Sequence, residues 1–184
     1  MLRRFLILII LLTGTIATTS HAQAFKSGDV MLSPGIGLGL YGVGYGVGFT
    51  VPIVLNADIG VHDYVSVGAY AGFWTTGWTN YRWNSTHVGG RASFHAWQLI
   101  DEKVSADLHS EDLDVYVTLW LGYNFRNARY TGDGFDVYRY GWSNRFQGGA
   151  QAGVRYFFTD FMGVFGEVGG TPTSWTNAGL TFKF

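Results

Sequence analysis

The sequence contains no cysteine. That excludes a disulfide framework, a thiolate zinc site and a catalytic thiol. It also excludes a lipid-modified N-terminus of the lipoprotein kind. Charge is scarce: charged residues make up 14% of the chain, where a soluble domain carries about 25%. The net charge of -1 offers no electrostatic case for nucleic acid. The apolar run Phe5 to Leu12 stops well short of the ~20 residues a spanning helix needs. Beyond Ala24 no segment repeats with a helical period. What is abundant is aromatic side chains, at 17%, and glycine, with 27 residues in a chain long enough for one domain.

Residues 1–24 read as a secretory signal. Arg3 and Arg4 form a basic start, Phe5 to Leu12 an apolar middle, and Thr13 to Gln23 a polar stretch containing the small Ala22. Cleavage is expected after Ala22 or Ala24. The mature chain, 25–184, then loses Arg3 and Arg4, leaving ten basic against thirteen acidic residues.

The mature chain alternates with period two, the signature of strands with one apolar face. Leu113 to Phe125 places Leu113, Val115, Val117, Leu119, Leu121, Tyr123 and Phe125 on one face. Asp114, Tyr116, Thr118, Trp120, Gly122 and Asn124 fall on the other. Eight such runs are expected, at Val30–Tyr41, Val51–Val61, Val65–Thr75, His87–Trp97, Leu113–Arg126, Arg145–Phe158, Met162–Gly169 and Trp175–Phe184. A tilted membrane strand needs about 9–11 residues, and most of these reach ten. Short connections, His62–Tyr64 and Thr159–Phe161, alternate with longer ones at Gly42–Thr50, Thr76–Thr86 and Asn127–Asn144. Gln98–Asp112 and Gly170–Ser174 break that rhythm. The acidic Gln98–Asp112 does not match a calcium loop with its central glycine and reads as a solvated turn.

Where the charges fall decides the class. The apolar face of all eight runs carries none. The opposite faces hold Asp58, Arg91, Asp114, Arg126, Arg145, Arg155, Glu167 and Lys183, with His62, His87 and His95. A charge at mid-bilayer on a lipid-facing wall costs about 2–4 kcal/mol, so lipid excludes it there and tolerates it inside. A soluble, lipocalin-like barrel with its apolar face inward would need a well-charged exterior. Here the other face is mostly Gly, Ser, Tyr, Trp and Asn. The expected fold is therefore all-β: an eight-stranded, antiparallel, up-and-down transmembrane β-barrel. Closure satisfies every backbone polar group, as lipid cannot.

The last strand alternates to the end, with Ala178, Leu180, Phe182 and Phe184 on one face. Its closing aromatics, Phe182 and Phe184, resemble the signal by which outer-membrane barrels are recognised by their insertion machinery. More broadly, the chain resembles the small outer-membrane β-barrel family of Gram-negative bacteria, near the outer-membrane protein X and protein W type. The stretches that carry the resemblance are VPIVLNADIGVHDYVSVGAYAGF (Val51–Phe73), DVYVTLWLGYNF (Asp114–Phe125), GVRYFFTDFMGVFGEVGG (Gly153–Gly170) and GLTFKF (Gly179–Phe184). Such motifs specify architecture. The resemblance implies an outer-membrane location, contact with outer-membrane lipid, and structural, adhesive or stress-related roles.

Candidate chemistry is sparse. Gly37 to Gly42 matches a dinucleotide fingerprint in letters, but no helix follows it. Alternating glycines instead leave room in a lumen that eight strands just enclose. No cofactor is expected. His87 and His95 lie on one strand, roughly 27 Å apart at 3.4 Å per residue, too far to share a metal. Asp58, Arg91, His95, Asp114, Arg155 and Glu167 form the expected polar core, in which Asp58 and Glu167 can offset Arg91 and Arg155, because buried charges need partners. Register across the turn at Thr159–Phe161 puts Arg155 opposite Phe165 and diagonal to Glu167, within reach of the guanidinium.

The outer loops are expected to display aromatics: Trp78, Tyr81 and Trp83 in one, Tyr138, Tyr140 and Trp142 in another. Such rings mark membrane interfaces and suit contact with a surface ligand or protein. The leading expectation is a non-enzymatic surface or envelope-integrity barrel. Its rivals are a narrow porin-like channel for small solutes and a lipid-modifying enzyme. One type of the latter uses a His, a Ser and a carboxylate on the lipid-facing wall. The outward faces here carry no His and no carboxylate.

Overall fold

The computed structural model describes residues 24–40, 51–78, 80–104, 111–130, 144–170 and 173–184. Side chains at 39, 40, 78, 81, 98, 102, 104 and 128–130 are outside that description. Eight strands close into an antiparallel barrel in sequence order. They are β1 (Val30–Leu40), β2 (Ile53–His62), β3 (Val65–Trp78), β4 (Tyr81–His95), β5 (Leu113–Tyr130), β6 (Arg145–Phe157), β7 (Met162–Gly169) and β8 (Ser174–Lys183). Closure is by β1 on β8, with Gly35 opposite Gly179 and Met31 opposite Lys183.

Alternation sorts the side chains as the charge pattern requires. Ile53, Leu119, Leu121, Val168 and Phe146 point outward, 56–74% exposed, whereas Arg155, Tyr116 and His95 inside are wholly enclosed. The polar face is the interior, the reverse of a soluble barrel. Glycine makes room for the rings that fill it. A β-carbon on Gly153 would strike the Tyr116 ring, and one on Gly149 the Trp120 ring. Gly35 and Gly179 both face the Phe165 ring in the same way. Small against large across a narrow lumen is how such barrels fill.

The two ends differ. One end, here the turn end, carries both described termini, joined by backbone hydrogen bonds between Val30 and Phe184. It also carries the short β2–β3 and β6–β7 turns. The other, the loop end, carries the connections 41–50 and 131–143, which lie outside the described residues.

Two expectations about connections, and one about inward charges, are corrected. Thr76–Thr86 is not a long loop. β3 and β4 continue past the apolar belt as a ladder to the pair Trp78 and Tyr81, leaving two residues for the turn. Trp78, Tyr81 and Trp83 are consequently strand residues, not loop residues. Nor is Gln98–Asp112 wholly a solvated turn, because α1 (Ala96–Val104) begins directly after β4 and packs beside β5. Among the charges assigned inward by alternation, His62 and Arg145 sit at strand ends and are exposed. A register irregularity between Gly60 and His62 accompanies the exposure of His62.

Candidate functional site: a charged layer across the lumen

The lumen is crossed by one connected layer of titratable groups. Asp58 comes from β2, Arg91 and His95 from β4, Asp114 from β5, Arg155 from β6 and Glu167 from β7. All are at most 5% exposed. Arg155 donates to Asp58 Oδ2 at 2.8 Å and to Asp114 Oδ2 at 3.2 Å. Arg91 donates to Glu167 Oε1 at 2.8 Å. Its Nε lies 3.1 Å from Asp58 Oδ1, near enough for an ion pair though misaligned for a hydrogen bond. His95 Nδ1 is 2.8 Å from Asp114 Oδ1, and its Nε2 is 3.0 Å from Ser66 Oγ. The structure thus brings all six expected core residues into one network.

The expected offset of Arg91 and Arg155 by Asp58 and Glu167 is present, but Arg155 meets Asp58 rather than its diagonal neighbour Glu167. Arg155 is opposite Phe165 in register, yet its partners are Asp58 and Asp114, while Glu167 turns to Arg91. The physical reason is closure. A two-strand register shows only the β6–β7 neighbour, whereas the closed lumen brings Asp58 from β2 within reach.

Other members were not visible as such in the sequence. The Tyr116 hydroxyl donates to Glu167 Oε1 at 3.1 Å, and its ring lies 4.2 Å from the Arg155 guanidinium carbon. Asn56 and Asn177 both donate to Glu167 Oε2, at 3.4 and 3.3 Å. With Ser66, these recruit seven strands into the layer. The alternation shows that such residues face inward, but not which of them meet. A void of about 10 Å³ lies beside the layer, lined by Tyr70, Arg91, Trp120, Gln151, Thr173 and Asn177. That is room for about one water.

Beneath the layer, the segment ahead of β1 folds into the turn end. Phe25 stacks on His95 with ring centroids 3.5 Å apart and planes 6° from parallel. Ala24, Phe25, Met31 and Phe157 form a buried apolar cluster. Gly28, in the left-handed region at φ 90°, turns the strap so that its N–H donates to the Gly60 carbonyl. Lys26 N–H donates to Asp29 Oδ2 at 3.0 Å, and Ser27 N–H to Asp63 Oδ1 at 3.2 Å. Burial raises the Asp29 carboxyl above the usual aspartate range, although Lys183 and the Lys26 N–H oppose the shift.

No family model and no curated protein matches the sequence. Among solved structures, the chain is similar to the outer membrane protein OprG from Pseudomonas aeruginosa. The identity is 12% and the TM-score 0.49, covering 89% of this chain and 99% of that one. It is similar to the outer membrane protein AlkL in lipid bilayers at 13% identity and TM-score 0.49, over 92% and 96% of the two chains. It is also similar to a de novo designed transmembrane β-barrel, at 18% identity and TM-score 0.49, over 86% and 98%.

The other sequence-derived residues are placed as follows. Phe184 is 59% exposed at the barrel's edge and Phe182 is half-buried on β8. Trp83 is half-buried on β4. Tyr138, Tyr140 and Trp142 lie outside the described residues, as does the leader up to residue 23, and the same holds for the side chains of Trp78 and Tyr81.

Proposed function

We propose that the chain is a plugged, non-enzymatic outer-membrane barrel, held in lipid by its apolar outer wall and making its contacts at the loop end. The charged layer carries this reading. Arginine and carboxylate of both signs neutralise one another across the lumen, where a selective pore calls for a ring of one sign. Phe25 closes the turn end beneath, and the neighbouring void has room for about one water. The outward wall supports lipid as the solvent, since a contiguous belt of exposed Ile, Leu, Val and Phe is an aggregation hazard in water. The tight β2–β3 and β6–β7 turns at the end bearing both termini support an orientation with that end in the periplasm.

The burial of the strap also favours one processing site. Cleavage after Ala24 would place a charged amino terminus on Phe25, which is 3% exposed, and an unpaired buried charge is costly. Cleavage after Ala22 leaves the terminus on Gln23, ahead of the buried cluster. Function through the loop end, closing aromatics that serve insertion, and kinship with the protein X and protein W type all belong to this reading.

The test is reconstitution of the full-length protein in a planar bilayer. The expected record shows no steady ion-conducting steps. Reproducible single-channel steps would overturn the plugged reading and promote a narrow pore.

A further inference from the structure

At the turn end, β4 stops before β5 does. Their last pair is His95 with Tyr116, so Leu113 to Val115 reach beyond it with no β4 partner. The helix α1 (Ala96–Val104) starts at the next residue and packs beside β5. Exposure shows on which side it packs. On the outer face of β5, Val117, Leu119 and Leu121 are 49–64% exposed, whereas Leu113 and Val115 on that same face are half-buried. A helix set against the outer rim of the wall accounts for this cover. A helix folded under the lumen does not, and there Phe25 already packs on His95.

The helix is amphipathic. At about 100° per residue, Ala96, Trp97, Leu99 and Ile100 fall within an arc of roughly 160°. β5 does not cover all of that face, because Ile100 is 43% exposed. The rim it adjoins is itself apolar. Phe94, two residues ahead of the helix, is exposed on the outer wall, and Phe158, Phe161 and Phe184 are exposed at the same end. Rings at this level match the girdle that a membrane barrel places at the lipid–water boundary, and the indole of Trp97 suits that boundary. Lys103, exposed on the same side of the helix as Ile100, can lay its stem on apolar surface while its ammonium reaches the phosphates. Asp101 and Glu102 against Lys103 leave the helix with no cationic excess. Apolar contact, not attraction to anionic lipid, therefore has to hold it.

We infer that α1 is an interfacial helix, lying in the headgroup–acyl boundary of the leaflet nearest the turn end. Ile100, with Trp97 and Leu99, faces the acyl chains, so the helix continues the lipid-facing wall beyond the end of β4. Its partner is a lipid surface met through apolar area, with no preference for an anionic headgroup. The inference rests on the membrane reading above, because only a barrel set in lipid brings this rim to a headgroup layer.

The chain has no cysteine, so a single introduced one carries a spin label at a known place. Full-length Ile100→Cys is labelled and reconstituted in phosphatidylcholine vesicles, with a neutral nickel chelate on both sides of the bilayer. Power-saturation EPR compares its collisions with oxygen, which concentrates in lipid, and with the chelate, which stays in water. Val117→Cys on the outer wall is the lipid reference, and Asp112→Cys, exposed just ahead of β5, is the water reference. The oxygen-to-chelate collision ratio at 100 is expected to be several-fold that at 112 and to fall between the two references. Adding phosphatidylglycerol to the vesicles is expected to leave it unchanged. A ratio at 100 equal to that at 112 overturns the inference. Poor collision with both reagents does so too, because it would place Ile100 against the barrel. So does a ratio that rises only with phosphatidylglycerol, which would make the contact electrostatic. If Ile100→Cys does not fold, labelled Lys103→Cys takes its place with the same expectation. A water-like reading at Val117 overturns the membrane reading itself. A lipid-like reading at Val117 with a water-like one at 100 overturns this inference alone.

Discussion

The two ends of the barrel solve opposite problems. At the turn end, Asp58, Asp114, Glu167, Arg91 and Arg155 are sealed from solvent and bonded to one another, with Phe25 packed beneath them. At the loop end, Arg82 and Arg145 are exposed and Arg126 is half-buried. The same residue type thus has two roles. Buried arginine stabilises only through the carboxylates it touches, and losing one partner strands the other. Exposed arginine stays hydrated and costs little to keep. Stability is therefore expected to concentrate at the turn end and interaction at the loop end, a division that substitutions can break.

The largest effect is expected from Arg155→Met. The side chain volume is nearly kept, but Asp58 and Asp114 lose the guanidinium between them. Removing one member of a buried ion pair costs about 3–5 kcal/mol. Urea unfolding of the barrel in detergent micelles, followed by tryptophan fluorescence, measures the loss. A midpoint equal to wild type would mean that the layer carries no stability, and the comparison between the ends would fail.

Next is Phe25→Ala. Deleting a buried ring removes the stack on His95 and opens the mouth beneath the charged layer. A strap anchored at one end relaxes more readily than a strand, so the cost is placed at about 1–3 kcal/mol, in the ordinary range for a point substitution. The same urea titration checks it. An unchanged midpoint would show the strap to be an ornament on a barrel already closed by its ion pairs.

How much of this was legible beforehand follows from the range of each interaction. Alternation is local, and so the eight strands, the charge-free outer face and the inward placement of Arg155 could all be read from neighbouring residues. The pairing of Arg155 with Asp58 spans 97 residues and exists only once the barrel closes, so no local register reveals it. The strap was hidden for another reason. Ala24 and Phe25 stand at the expected cleavage site, where sequence reading assigns residues to export and not to packing. The helix α1 was obscured by its composition, since Asp101, Glu102 and Lys103 resemble a solvated turn. Its apolar Trp97, Leu99 and Ile100 were the signal that might have found it. At the loop end, Thr76–Thr86 reads as a loop because Thr, Asn and Gly are common in turns. Only the ladder from Phe73 and Thr86 out to Trp78 and Tyr81 shows that pairing continues past the belt.

The sharpest version of the comparison uses the smallest change: loss of one hydroxyl at each end, accompanied at Thr75 by its γ-methyl. Ser66 is wholly buried and its Oγ lies 3.0 Å from His95 Nε2. Ser66→Ala leaves that imidazole nitrogen without its protein partner in a sealed interior. Stranding a buried polar group in this way costs about 1–3 kcal/mol. Thr75 is the matched case at the other end. It is half-buried, opposite Asn84 in register and above the apolar belt, where water replaces a lost hydroxyl contact. Thr75→Ala is expected to stay within about 0.5 kcal/mol of wild type, as surface substitutions do. Both variants delete one oxygen, yet their urea midpoints should separate clearly. If the two shifts are equal, burial is not what distinguishes the ends. If Thr75→Ala is the costlier, the stability of the barrel resides in the β3–β4 ladder beyond the apolar belt and not in the layer that crosses the lumen.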